Sequence, residues 1–107
     1  MDIDQAAEGF AAAGSRARLE VLQLLVRAGP GGLSVGEIQQ RLQIAASTLA
    51  HHLKFLAGAG LIKQVKHGRS VINRAEYAHI EALAAFLLHE CCAEAGQTEA
   101  LLEGAAS

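Results

Sequence analysis

"LSVGEIQQRLQIAASTLAHHLKFLAGAGLIKQVKHGRSVINR", residues 33–74, holds the local signals that decide the fold. Ser34 with Glu37 three residues on is a capping box, the serine at the N-cap and the glutamate reaching back. It predicts a short helix through Leu42 with Val35, Ile38 and Leu42 on its inner face. After "QIAA" a stronger helix is expected from about Ser47 to Ala57, stopped by Gly58 and Gly60. Two β-prone runs then flank His67-Gly68. That pair suits a tight hairpin, because glycine takes positive φ freely and histidine tolerates it better than most residues.

Upstream, "IDQAAEGF" sets Ile3, Ala6, Ala7 and Phe10 at i, i+3, i+4 and i+7, the spacing of an amphipathic helix. Ala13-Gly14-Ser15 breaks it and caps the next, "RARLEVLQLLVRAG", whose stripe reads as Leu19, Leu22, Leu25 and Val26. Gly29-Pro30-Gly31-Gly32 ends that helix. Downstream, a long helix is expected from Glu76, with Ile80, Leu83, Ala84, Leu87 and Cys91 on one face. The order is helix, helix, helix–turn–helix, hairpin, long helix. This is a mainly α fold with a small β-hairpin, a winged helix-turn-helix. One such domain fills residues 1–95, and the small, acidic stretch 96–107 is expected to be a frayed tail.

With 107 residues the chain fits one domain, and its 51% hydrophobic content excludes a disordered protein. No apolar run reaches the roughly 18 residues of a membrane span, and "MDIDQAAEGF" lacks a secretory pattern. A cytoplasmic location, no membrane partner and reduced cysteines are therefore expected. The overall charge of −2 hides a segregation. All nine Lys and Arg fall between Arg16 and Arg74, opposed there by Glu20 and Glu37 alone, a net +7 between acidic ends. A basic middle points to a polyanion as partner. No glycine-rich phosphate loop, paired-carboxylate cleft or nucleophile–base constellation points to an enzyme, and no permanent cofactor is expected.

On a helical wheel of residues 47–56, Leu49, Leu53 and Leu56 share the core face, while Ser47, His51 and Lys54 fall opposite with Thr48 beside them. Such a stripe can bond base edges and phosphates in a major groove. His52 lies nearer the core and reads as structural; Phe55 is left on the exposed side with no role. Lys63, Lys66, His67 and Arg69 surround the hairpin turn, with Arg74 beyond, and Arg16 and Arg18 open the second helix. All of these suit phosphate contacts.

With these residues, "SRARLEVLQLL", "STLAHHLKFLAGAGLI" and "GRSVINRAEY" resemble the ArsR/SmtB family of bacterial metal- and metalloid-responsive repressors, over about residues 14–92. The resemblance implies a homodimer built from the first and last helices, here 1–13 and 76–95. It also implies binding to double-stranded DNA at an inverted-repeat operator. The segment "EIQQRLQI" carries no thiol, so the inducer site of one family variant is missing. Tyr77 stands where the zinc-binding variant has Asp, ahead of His79, His89, Glu90 and Glu94, so that set is incomplete; His79 and His89 read as helix-surface residues.

The adjacent Cys91 and Cys92 are the chain's two cysteines. They resemble the variant ending its last helix in "CC", whose inducers are trivalent arsenic or antimony. Thiolates are soft ligands and select thiophilic centres. Many such relatives carry a third Cys; here only "AEAGQTEALLEG" follows. Either arsenite is held by two sulfurs and a hydroxide, or the inducer is methylarsenite, with two valences to fill. Three other readings remain open: cysteines packed as small hydrophobes, a thiol-redox, persulfide or zinc response on the same fold, and a winged-helix module that binds protein instead of DNA.

Overall fold

A computed structural model describes residues 1–95 of the chain. Helix α1 spans Ile3–Ala13 and starts on a capping box that sequence reading passed over. Asp2 Oδ1 accepts from the Gln5 N–H at 2.7 Å, and Gln5 Oε1 accepts from the Asp2 N–H at 2.9 Å. Helix α2, Arg16–Ala28, is capped by Ser15, whose Oγ accepts from the Arg18 N–H at 3.4 Å. Strand β1 is only Leu33–Ser34, and α3, Val35–Leu42, follows directly. The expected box is present there: Ser34 Oγ accepts from the Glu37 N–H at 3.2 Å and Glu37 Oε1 from the Ser34 N–H at 2.9 Å. Glu37's carboxyl is held below its usual range by those bonds, chiefly the one from the Ser34 backbone. Gln43, at φ 55, turns the chain into α4, Ala46–Gly58.

Strands β2, Ile62–His67, and β3, Ser70–Ala75, form the wing. His67 pairs with Ser70, so the turn is Gly68-Arg69, one residue later than expected. Gly68 sits at φ 64 and Arg69 does not share the positive φ, a two-residue loop with glycine first. The hairpin is also not alone: β1 adds to β3, giving a three-stranded antiparallel sheet in the order β1-β3-β2. Asn73, fully buried, ties the three strands together. Its Nδ2 donates to the Leu33 carbonyl at 3.3 Å, and its Oδ1 accepts from Gln64 Nε2 at 2.9 Å. Gly32, at φ 68, lets β1 come this close; a Cβ there would lie 2.4 Å from the Asn73 carbonyl oxygen.

The core is Val21, Leu22, Leu24 and Leu25 from α2, Ile38 from α3, and Leu49, Leu53 and Leu56 from α4. Leu61, Ile62 and Leu83 close it from the wing and last helix, with Val35, Leu42 and Ile80 packed against it. The stripe expected on α2 is therefore rotated: Leu19 and Val26 are 44% and 40% exposed, and Val21 and Leu24 lie inside instead. On α1, Ala6 and Ala12 are buried while Ile3 (68% exposed), Ala7 and Phe10 face outward.

Helix α5, Tyr77–Phe86, is shorter than the long helix expected to carry Cys91. Beyond Phe86 the chain runs as successive three-residue turns, Cys91 N–H to Leu88 O at 2.8 Å and Ala93 N–H to Glu90 O at 3.0 Å. Leu87 and Leu88 are each 69% exposed, so nothing among the described residues packs on them to support an α-helix there. No helix among the described residues is long and apolar enough to cross a membrane.

Candidate nucleic-acid interface and thiol pair

Burial of Leu49, Leu53 and Leu56 fixes the rotation of α4, and the opposite side carries Ser47, Thr48, His51 and Lys54, all exposed as the wheel required. The helix opens at Ala45 without a side-chain cap bond, so its first N–H groups stay open to an outside acceptor. In the wing, β2 is exposed from Lys63 to His67. Strand alternation sends Lys63 and His67 to one side and Lys66 to the other, so the ribbon does not gather all its cations on one face; Arg69 sits in the turn itself.

Arg16 points to solvent, its side chain 94% exposed, and its Nε meets Glu20 Oε1 at 3.1 Å. Such an exposed i, i+4 pair adds little stability and leaves the cation free to reach an anion. Arg18 is different. Its Nε donates to the Ala12 carbonyl at 2.6 Å and its Nη2 to the Ala11 carbonyl at 3.3 Å, closing the end of α1. The same guanidinium lies 4.9 Å from the centroid of Phe55. The expected backbone grip by Arg18 is thus replaced by an internal one, because the Gly14-Ser15 break folds α1 back over it.

Phe55, which had no assigned role, is 48% exposed and meets the His51 ring in a T-shaped contact at 5.1 Å. It borders a cleft of about 580 Å³ between α1 and α4, lined by Glu8, Ala11, Lys54 and Gly58 among others. His52 is half-buried, and its Nδ1 is sealed from solvent without a hydrogen-bond partner. Burial, then the nearby Arg18 and His51 charges, hold its pKa below 6.5. His79 is no surface residue: its ring packs on the backbone of Gly60, and a Cβ there would lie 3.1 Å from it. Tyr77, at the position of the missing zinc ligand, donates its hydroxyl to the Val26 carbonyl at 3.2 Å.

Cys91 is exposed and Cys92 half-buried, with sulfurs 3.5 Å apart. Cys92 takes φ 63, in the left-handed region. The hydrogen bond with Cys91, then burial and the Cys91 charge, push the Cys92 thiol up. Glu90 and Glu94 border the hollow beside Cys92, and His89 is turned away, its Nδ1 on the Phe86 carbonyl at 2.8 Å. Among the described residues no three His, Cys, Asp or Glu side chains come together as a metal site.

A helix-turn-helix domain family matches residues 13–65, the span from the end of α1 into β2. The transcriptional activator HlyU of Vibrio cholerae serotype O1 is 32% identical over 80 residues, 75% of this chain and 70% of HlyU. An ArsR-like transcriptional regulator from Rhodococcus sp. RHA1 superposes with a TM-score of 0.74 at 30% identity, covering 97% of this chain and 94% of that one. The homodimeric winged helix-turn-helix DNA-binding domain of Mb0332 from Mycobacterium bovis, a possible ArsR-family regulator, shares the fold. Its TM-score is 0.67 at 23% identity, over 89% of this chain and 84% of that one. From its recognition-helix frame and these likenesses together, the chain belongs to the ArsR-like winged helix-turn-helix transcriptional regulators.

Proposed function

We propose that this regulator is a homodimeric repressor of DNA that lets go when a trivalent arsenical, arsenite or methylarsenite, or antimonite bridges Cys91 and Cys92. The observation that carries the reading is the pair of free thiols, one exposed and one half-buried, 3.5 Å apart beyond α5. With arsenite, two thiols and As(OH)₃ give a dithiolate As–OH and two waters, each thiol proton leaving with a hydroxide. With methylarsenite the same two condensations fill both free valences, so the two-sulfur site suits that species fully.

Ser47, Thr48, His51 and Lys54 would enter the major groove, with Lys66, His67, Arg69 and Arg16 on phosphates. The outward apolar residues Ile3 and Phe10 of α1, with Leu87 and Leu88 after α5, supply a surface for a second copy. The homodimeric Mb0332 domain supports that assembly. Arsenical binding would tighten the turn segment behind α5 and so move one reading helix relative to its twin. HlyU is named an activator, so repression rests on this mechanism and not on kinship.

The test is fluorescence anisotropy of the reduced chain on an inverted-repeat duplex that the wild type selects from a randomised pool. Arsenite, methylarsenite, antimonite, Zn²⁺ and a persulfide donor are titrated separately. Release by a trivalent metalloid is expected, and the Cys91→Ser/Cys92→Ser variant should bind DNA as before without releasing it. Release by Zn²⁺ or the persulfide donor alone would replace the metalloid reading.

A further inference from the structure

We propose that Arg18 and Phe55 are positioning residues for DNA reading, coupling the end of α1 to the polar face of α4 through a cation–ring contact. The inference rests on the proposed role of that face. Three contacts make the chain of connection. Arg18 donates to the last carbonyls of α1, Ala11 and Ala12, at 3.3 and 2.6 Å. Its guanidinium lies 4.9 Å from the Phe55 centroid. Phe55 in turn makes a T-shaped contact with His51, centroids 5.1 Å apart, and His51 stands one turn from Ser47 and beside Lys54 on the reading face.

An aromatic ring 48% exposed on this helix is not held by the core. Beside it lies the open cleft of about 580 Å³ between α1 and α4, into which an unheld ring could turn. The Arg18 guanidinium over the ring is what holds it in place, and a ring held in place sets where His51 points. Guanidinium suits both tasks, because its flat fork can cap two carbonyls while its face covers a ring; an ammonium can do neither as well. The arrangement also places a link between the helix assigned to dimerisation and the helix assigned to reading, so a shift of α1 is passed to His51 without crossing the core.

The experiment compares wild type, Arg18→Lys, Phe55→Leu, Phe55→Tyr and the Arg18→Lys/Phe55→Leu double variant. Affinities are measured on the selected duplex and on a scrambled duplex of equal length, over a salt series, with thermal midpoints alongside. Phe55→Leu and Arg18→Lys should each cut the selected-over-scrambled ratio about fivefold, the scale of one such contact. The salt slope on scrambled DNA should not change, since no phosphate contact is lost. Phe55→Tyr, which keeps the ring, should stay near wild type, and the double variant should be no worse than either single one. A loss in Phe55→Leu with none in Arg18→Lys would mean the ring touches DNA itself and would overturn the inference. So would an unchanged ratio in Phe55→Leu, or an equal loss on both duplexes accompanied by a lower thermal midpoint. A wild-type chain that enriches no duplex from the randomised pool would instead sink the DNA-reading assignment, and this inference with it.

Discussion

Between Ser34 and Ala75 almost every element ends on a lock, whereas beyond Phe86 the chain has few. The first region has the Ser34–Glu37 box, the left-handed Gln43, the buried face of α4 and Asn73 across three strands. The second has exposed Leu87 and Leu88, three-residue turns and a left-handed Cys92. Under the proposed function the difference reads as a division of labour. A reader of DNA needs its side chains fixed before contact, because ordering them on binding costs affinity. A sensing segment needs two arrangements of similar energy, so that a ligand can choose between them. Loose attachment at Cys91 and Cys92 fits the second requirement, as firm attachment at Leu49, Leu53 and Leu56 fits the first.

Asn73→Ala should give the largest effect on that contrast. It strands the Leu33 carbonyl in the buried sheet and removes the acceptor of the exposed Gln64 amide, and should cost about 1–3 kcal/mol in urea unfolding. A smaller loss than that of the thiol variant below would break the comparison outright.

His52 comes next, half-buried on α4 itself. Its pKa is lowered in the fold from 6.5, first by burial and then by Arg18 and His51. The unfolded chain thus takes up its proton more readily. Stability is full above about pH 6.5 and declines as the pH falls toward the lower folded value. The urea midpoint should fall between pH 7.5 and 5.5, and His52→Gln should flatten that fall; an equally steep fall in the variant would assign it to other groups.

The smallest effect is expected for Cys91→Ser/Cys92→Ser, within about 0.5 kcal/mol of wild type by the same unfolding measurement. A loss approaching that of Asn73→Ala would show that the thiols are packed core groups, and the contrast would lose its sensing end.

The legible parts of the fold were those written in neighbouring residues. Ser34 and Glu37 announce their helix within three positions, and the i, i+4, i+7 spacing of Ser47, His51 and Lys54 follows from Leu49, Leu53 and Leu56 alone. On α2 the same method failed for a physical reason: Leu19, Val21, Leu22, Leu24, Leu25 and Val26 surround the helix, so apolar spacing cannot choose a side. Packing of α2 against α4, β3 and α3 is what selects the side that carries Val21 and Leu24. Strand β1 is two residues long and exists through its partner Asn73, 40 positions away. Arg18 and Phe55 are 37 positions apart and meet through the packing of α2 on α4, which no local pattern records. The end of α5 misled because "LLHECCAEA" contains good helix formers, yet nothing among the described residues packs beneath Leu87 and Leu88.

The most direct test of the account is reciprocity between the two regions. Binding of methylarsenite to the reduced chain would be titrated calorimetrically, free and saturated with the selected duplex. The account predicts weaker binding in the DNA complex by about 5- to 150-fold, a coupling of roughly 1–3 kcal/mol, and the same factor for the loss of DNA affinity on arsenical binding. Equal affinity for methylarsenite with and without DNA, at a site lost in Cys91→Ser/Cys92→Ser, would contradict it: the thiols would bind the metalloid and tell the reader nothing.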